Sequence, residues 1–223
     1  MFDYRIAYGC WLNDSRMKPI ADEDWPSVRI DRDTLDSLDR TMGFLAECGY
    51  NCLDVFGLIT NHSWQPDIPS TVSPERKEWV RQAIEIVHRH GLKLIYGLGV
   101  YSWGFDRIIA HSADVRGTNP QVMCASSGAS LEVMQKVIDY VSQTFEVDGF
   151  HLEAADQGRC ACGKCAGFAS DIDYFNHVNR LTASYIRERY PDKLLLVNTS
   201  GYLAWGDRFS EEQLEKIREL GEW

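Results

Sequence analysis

The chain of 223 residues carries a formal net charge of -10, which argues against nucleic acid or an anionic membrane surface as its partner, because both attract basic patches. Hydrophobic residues make up 44% of the sequence, which is enough to bury a full core. No run approaches the roughly 18 uninterrupted apolar residues of a membrane span, so we expect one globular domain over residues 1–223.

Short apolar runs alternate with amphipathic segments along the chain. Their periodicity predicts five strands, over 5–11, 51–59, 92–101, 147–153 and 193–202. A helix is predicted after each strand, over 31–50, 73–91, 130–146, 173–192 and 210–223. The second helix has the clearest limits, because Ser73 and Pro74 are typical of a helix start and Gly91 of a helix end.

The order of these elements predicts the fold class. Strands that are apolar on both faces and separated by helices indicate a parallel α/β sheet with helical cover. Units of roughly 45 residues fit a TIM-barrel-like (β/α) fold, but a closed barrel needs eight units and the chain supplies about five. We therefore expect a partial barrel, either the N-terminal part of a longer one or an open sheet whose last strand is covered or pairs with another subunit.

In parallel α/β folds the chemistry lies in the loops at the carboxyl ends of the strands. Five of the seven tryptophans fall in these loops: Trp11, Trp25, Trp64, Trp103 and Trp205. Aromatic rings beside hydrogen-bonding side chains suit a sugar ring, whose C–H face packs on the aromatic face while its hydroxyl groups bond to polar atoms. The alternative is that these rings only fill the top of the barrel.

Two carboxylates lie at the end of the fourth strand. Glu153 closes the strand and Asp156 follows three residues later. Cleavage of a glycosidic bond needs one carboxyl group to protonate the leaving oxygen and a second group to stabilise or attack the anomeric carbon. Glu153 and Asp156 are therefore the catalytic candidates. The alternative is structural, with Glu153 in an ion pair inside the barrel and Asp156 shaping the turn before Gly158.

Further polar and aromatic residues at the same end of the sheet are candidates for substrate binding. Strand alternation places His151 on the same face as Glu153. Asp54 in the second strand points either towards the open carboxyl end of the barrel or into a layer of its interior. In the second case it is a buried structural carboxylate. The candidate substrate-binding residues are His151, Asp54, His62, Trp103, Tyr101, Asn198, Tyr202 and Trp205.

Three cysteines lie within six positions after the fourth strand, in the order Cys160, Cys162 and Cys165. This spacing suits a tetrahedral Zn²⁺, but a closed structural site needs a fourth ligand. Cys124, in the neighbouring loop after the third strand, is the candidate for it. A disulfide between two of the four, or free thiols, are the alternatives. We expect no cofactor for the chemistry itself and zinc only in a structural role.

The first ten residues, MFDYRIAYGC, lack the basic segment and long apolar run of a secretory signal, which favours a cytoplasmic protein. The seven cysteines are an odd number and favour reduced thiols over a disulfide framework. The expected partners are a carbohydrate substrate and either further copies of the chain or a missing C-terminal barrel segment.

The run DGFHLEAADQGRCACGKC, with NPQVMCASSGASLEVMQKVIDYV before it, resembles bacterial glycoside-hydrolase-like (β/α) barrels related to β-N-acetylhexosaminidases and α-glucuronidases. Several of these proteins carry a cysteine-rich loop after the fourth strand. Family 20 hexosaminidases have His-x-Gly-Gly-Asp-Glu there, in which Asp holds the substrate acetamido group and Glu is the general acid. The resemblance implies that Asp156 is the acid, whereas Ala155 replaces the acetamido-holding Asp.

Three functions are consistent with these patterns. The leading one is a hydrolase that cleaves a glycosidic bond with an acid on the loop after the fourth strand. The alternative is a non-catalytic glycan-binding or assembly module on a partial barrel. A radical iron–sulfur enzyme is a third reading, but its cysteines would follow the first strand and have another spacing.

Overall fold

The computed structural model describes residues 3–8, 30–60, 63–154, 157–198 and 210–219. Five parallel strands form one sheet in chain order. The strands are β1 (Ile6–Tyr8), β2 (Cys52–Phe56), β3 (Lys93–Gly99), β4 (Gly149–Glu153) and β5 (Leu194–Val197). The sheet curls into a half-barrel with helices between its strands, which confirms the predicted partial (β/α) fold.

Six α-helices are described: α1 (Arg32–Glu47), α2 (Pro74–Arg89), α3 (Asp106–His111), α4 (Gly128–Thr144), α5 (Asp171–Arg189) and α6 (Glu211–Arg218). Two short 3₁₀ helices cover Ile68–Thr71 and Cys165–Gly167. The helix α3 lies in the segment after β3, where the sequence predicts only a long polar loop. None of the described helices has the length and apolarity to cross a membrane.

The predicted helix limits follow from local capping. The Asp31 side chain accepts a hydrogen bond from the backbone N–H three residues further on, and Ser73 does the same at the start of α2. Pro74 occupies the first position of α2, where its missing N–H has no partner to lose. Gly91 follows the end of α2 with a φ of +76°, a conformation that favours glycine.

Alternate residues of each strand face opposite sides of the sheet. One side joins the helices in the main hydrophobic core; its strand residues include Leu53, Val55, Leu94, Tyr96, Leu98, Phe150 and Leu152. The intervening residues lie on the concave side of the half-barrel, which we call the concave face. Polar residues on the concave face are therefore brought together by the curl of the sheet.

Two glycines of β3 leave space on the concave face. A Cβ at Gly97 would lie 2.4 Å from the ring of Phe56, and one at Gly99 would lie 2.2 Å from the backbone oxygen of Trp103. Any larger residue would clash at these two positions. Glycine in the middle of a strand therefore marks a close approach of other groups, which here are two aromatic residues.

Arg76 of α2 ties the helix to the segment that follows β2. Its guanidinium group donates hydrogen bonds to the backbone oxygens of Ile59 at 2.9 Å, Leu58 at 2.9 Å and Gly57 at 3.1 Å.

We expect Arg76→Leu to lower the free energy of unfolding by about 2–3 kcal/mol, because hydrogen bonds from a charged donor are lost together. Urea denaturation would measure this loss. Arg81→Leu, at an exposed position of the same helix, is the control, and an equal loss in both variants would contradict the prediction.

Candidate functional site

The concave face carries polar side chains from two strands and from the residue that follows a third. Asp54 lies on β2, His151 and Glu153 lie on β4, and Asn198 directly follows β5. Asp54, His151 and Glu153 are buried, and Asn198 is half-buried. Buried polar groups at the carboxyl ends of parallel strands are a common basis of active sites. The concave face is therefore the candidate site.

Glu153 and Asn198 form one pair within this site. The register pairs Leu152 with Val197, so the residues that follow them lie at the same level. The Nδ2 amide of Asn198 donates a hydrogen bond to Oε2 of Glu153. The backbone N–H of Asn198 donates to the Leu152 oxygen at 2.8 Å, which extends the ladder by one residue. The Glu153 carboxylate is thus held at the C-terminal end of β4, and Glu153 is only 5% exposed.

Asp54 and His151 form a second pair, which we call the concave pair. The Nδ1 atom of His151 lies 2.6 Å from Oδ2 of Asp54. The two residues come from β2 and β4, so the side chains meet across the intervening strand β3. The sequence predicts each residue at the site but does not predict this contact.

Aromatic rings frame the concave pair. The ring centroid of His151 lies 5.1 Å from that of Phe56 and 5.9 Å from that of Tyr8, both in edge-on geometry. The Trp103 ring packs on Phe56 with centroids 5.3 Å apart. Tyr8 is 62% exposed, so one side of this frame is open to solvent. Tyr8 and Phe56 are not among the site residues predicted from the sequence, although their positions in strands that alternate across the sheet could have indicated them.

The segment after β3 has an unusual backbone. Tyr101 adopts a φ of 61°, which is uncommon for a residue with a side chain. Its backbone oxygen accepts a hydrogen bond from the Met123 N–H at 2.7 Å. The Tyr101 side chain is 1% exposed, and burial, with contributions from Tyr174 and Cys124, raises the pKa of its phenol. Tyr101 therefore lies beside the cysteines, and its role as a sugar contact stays a prediction.

Some predicted site residues lie outside the described residues: Asp156, His62, Tyr202, Trp205, Trp11 and Trp25. Trp64 is described and is 2% exposed. Its ring packs edge-on against Tyr140 of α4 and belongs to the main core. The Trp64 side chain therefore fills the main core and does not belong to a sugar platform on the concave face.

The four cysteines singled out in the sequence come together. The sulfur atoms of Cys124, Cys160, Cys162 and Cys165 all lie within 4.8 Å of one another. All four are free thiols, which contradicts the disulfide alternative. The sulfur of Cys124 is 3.7 Å from those of Cys162 and Cys165. Around an ion with Zn–S bonds of about 2.3 Å, tetrahedral geometry separates the sulfurs by about 3.8 Å, so this group, which we call the cysteine cluster, can hold a metal ion.

Neighbouring polar groups orient the sulfur atoms. The Thr118 backbone N–H donates a hydrogen bond to the sulfur of Cys160 at 3.4 Å. The hydroxyl oxygen of Ser126 lies 3.2 Å from the sulfur of Cys165. A Cβ at Gly117 would lie 3.2 Å from the Cys160 sulfur and 2.9 Å from a backbone oxygen, so glycine permits this close approach. Such contacts around ligands support metal binding by fixing ligand orientation.

The thiols of the cysteine cluster differ in acidity. A hydrogen bond from the backbone N–H of Cys165 contributes most to lowering the pKa of Cys162 to about 6. Burial raises the pKa of Cys124 to about 12. Burial also raises the pKa of Cys165. A bound cation would favour the thiolate form of all four, because metal binding displaces the thiol protons.

A cavity of about 1060 Å³ lies at the opposite end of the sheet. It is lined by the ends of α2, α4 and α5 and by the residues that precede β4 and β5. None of the predicted site residues lines it. In parallel α/β folds this end contributes to stability and the carboxyl end carries the chemistry. We therefore place the candidate site on the concave face by its side-chain chemistry and not by cavity size.

No family model matches the sequence, and no curated protein matches it either. Solved structures do match the fold. An exo-β-N-acetylglucosaminidase of glycoside hydrolase family 20 from Vibrio harveyi aligns over 88% of this chain and 35% of its own, with 15% identity and a TM-score of 0.57. A Streptomyces plicatus β-hexosaminidase aligns over 86% of this chain and 43% of its own, with 13% identity and a TM-score of 0.52.

A family 36 α-galactosidase from Geobacillus stearothermophilus also aligns, over 73% of this chain and 25% of its own, with 13% identity and a TM-score of 0.52. The chain has a glycosidase-like fold. At these identities the similarity shows the fold alone. The chain spans less than half the length of each of these structures.

Proposed function

We propose that this protein is a carbohydrate-active hydrolase that cleaves a glycosidic bond with an acid on the loop after β4. The observation that supports this most directly is the buried carboxylate of Glu153, held by Asn198 at the carboxyl end of the sheet. In this proposal Asp156 protonates the leaving oxygen, and Glu153 stabilises the positive charge that develops on the sugar. The fold shared with family 20 glycosidases is consistent with it.

The substrate contacts belong to the same proposal. His151, Trp103 and Asn198 lie on or beside the concave face and suit a sugar that packs on an aromatic ring and bonds through its hydroxyls. Asp54 acts there through its bond to His151. His62, Tyr202 and Trp205 are proposed from their loop positions in the sequence, and Tyr101 from its place after β3.

The alternative function is a glycan-binding or assembly module. It is favoured by the edge of the half-barrel, because β5 pairs with only one strand, β4, among the described residues. A half-barrel of this kind would pair with another copy of the chain or with a further barrel segment. A hydrolase and a glycan-binding module both place a carbohydrate on the concave face, so catalysis distinguishes them.

A panel of aryl glycosides tests the hydrolase. We expect wild-type protein to turn over at least one of them and Asp156→Asn to lower kcat by about 10²–10⁴-fold, because the leaving oxygen loses its proton donor. Glu153→Gln should lower kcat as well. The control is Asp192→Asn, at an exposed position near the opposite end of the sheet. Sugar binding without turnover in any of these proteins would support the module instead.

The ion that the cysteine cluster holds is, in our proposal, zinc in a structural role. Four thiolates in a tetrahedral arrangement are a typical structural zinc site. Metal analysis of the purified protein should find one zinc per chain, and Cys165→Ser should lower that content. Iron together with inorganic sulfide would contradict this assignment and favour an iron–sulfur protein.

A further inference from the structure

The concave pair spans the strand between its members. Neighbouring strands are about 4.8 Å apart, so β2 and β4 are separated by roughly 10 Å. The His151 ring nevertheless reaches Asp54, with Nδ1 2.6 Å from Oδ2. The residue of β3 that pairs with His151 is Gly97, and a Cβ there would lie 2.4 Å from the Phe56 ring. Glycine on β3 therefore lets the Phe56 ring pack beside the pair.

Two other His–Asp pairs in the described residues have evident structural roles. Asp148 accepts a hydrogen bond from the Leu94 N–H at 2.8 Å as well as lying 2.8 Å from His88, so it joins α2 to the start of β3. His90 lies 2.6 Å from Asp39 and joins α2 to α1. Both of these aspartates keep more than a quarter of their side chains exposed.

Asp54 differs from these aspartates in its environment. Its side chain is 3% exposed, and its Oδ1 atom is buried without a hydrogen-bond partner among the described residues. A buried carboxylate with few partners destabilises a fold, because the lost hydration is not replaced. A buried polar atom without a partner calls for an explanation, and a catalytic role is one that applies at such a site.

The bond to Asp54 also determines the chemistry of the His151 ring. When Nδ1 donates its hydrogen to the carboxylate, the neutral ring has a lone pair on Nε2. No hydrogen bond to Nε2 occurs within the described residues. The edges of Tyr8 and Phe56 restrict rotation of the ring, and 10% of its side chain remains exposed. His151 therefore presents an oriented proton acceptor on the concave face.

We propose that His151 is the catalytic base of this site and that Asp54 is its positioning residue. The inference rests on the proposed glycosidase function. The proposed function assigns an acid, Asp156, and a charge-stabilising carboxylate, Glu153, but no group that accepts a proton from the attacking water.

The proposed step uses water as the attacking group. As the water oxygen bonds to the anomeric carbon, one water proton passes to Nε2 of His151. The bond from that carbon to the leaving oxygen breaks, its electron pair stays on the oxygen, and the oxygen takes the proton of Asp156. Solvent then returns the proton from Nε2 to the Asp156 carboxylate. Direct attack by water inverts the configuration at the anomeric carbon.

Nuclear magnetic resonance tests the orientation of His151 without any substrate. Long-range proton–nitrogen spectra of the full chain should show the neutral His151 ring with its hydrogen on Nδ1. In Asp54→Asn the hydrogen should be distributed over both nitrogens, since the carboxylate that selects one of them is gone. A hydrogen on Nε2 in the wild-type protein would overturn the inference, whatever the enzyme does.

Kinetics on the aryl glycoside that the wild type hydrolyses tests the base. We expect His151→Ala to lower kcat by about 10²–10⁴-fold with little change in KM, and added imidazole to restore part of the rate. His151→Gln provides a second variant in case the alanine variant does not fold. His88→Gln is the matched control, because it removes a His–Asp contact at the opposite end of the sheet.

The outcomes separate the two proposals. An active wild type whose His151 variants keep their kcat, or a product of retained configuration, would overturn the role of His151 and leave the hydrolase standing. A wild type that hydrolyses no glycoside in the panel would overturn both. Loss of kcat in the His151 variants, recovery with imidazole and an inverted product would together support the inference.

Discussion

Chelation of the zinc proposed for the cysteine cluster is expected to lower the midpoint of thermal unfolding of this protein by roughly 8–16 °C. A ligand at 1,000 times its dissociation constant stabilises the folded state by about 4 kcal/mol, and each kcal/mol shifts the midpoint of a chain of this size by about 2–4 °C. The effect is large because the cysteine cluster joins two separate segments. Cys124 follows β3, while the other three cysteines follow β4.

Calorimetry with and without a chelator would measure this shift, and added zinc should reverse it. Cys165→Ser should unfold at a lower temperature than the wild type and respond less to the chelator. Cys48→Ser is the control, because Cys48 is exposed and lies outside the cysteine cluster. Equal midpoints in the presence and absence of the chelator would contradict a structural metal.

Gly97→Ala is expected to lower the free energy of unfolding by about 3 kcal/mol. The added Cβ would lie 2.4 Å from the ring of Phe56, which other rings hold in place. Either the ring or the central strand β3 has to move. Because Phe56 borders His151, the substitution should also disturb the concave pair. Urea denaturation and the His151 resonances would report the two effects separately.

A double variant tests the cause of this loss. Phe56→Ala removes the ring that the new Cβ would meet, so Gly97→Ala should be better tolerated in that background than in the wild type. Gly128→Ala is the control, because nothing lies within 4 Å of a Cβ at that position. If Gly97→Ala is equally destabilising with and without the Phe56 ring, the steric explanation is wrong.

Several parts of the structure follow from local patterns in the sequence. Asp31, Ser73 and Pro74 mark helix starts because their preferences depend on the nearest turn of the backbone. The five strands and their parallel order follow from apolar runs separated by helices. The proximity of Cys124 to the later cysteines was also predictable, since loops after adjacent parallel strands lie side by side.

Other parts depend on contacts between distant residues. Trp64 lies in a loop where the sequence allows either a sugar platform or a filling of the top of the barrel, and the structure packs it on α4 in the main core. The short helix α3 lies in a segment that reads as a polar loop, and its two buried isoleucines pack into the core. In both cases tertiary packing decided the outcome.

The sequence by itself determined which residues alternate along each strand, and so it placed His151 and Glu153 on one face of β4, whereas it left the direction of Asp54 open. Only the tertiary structure decided that Asp54 and His151 touch. They are 97 residues apart and lie on strands that are not neighbours. Their contact depends on the curl of the sheet and on the Phe56 ring that packs over Gly97 beside His151, which are properties of the assembled half-barrel and of no single segment.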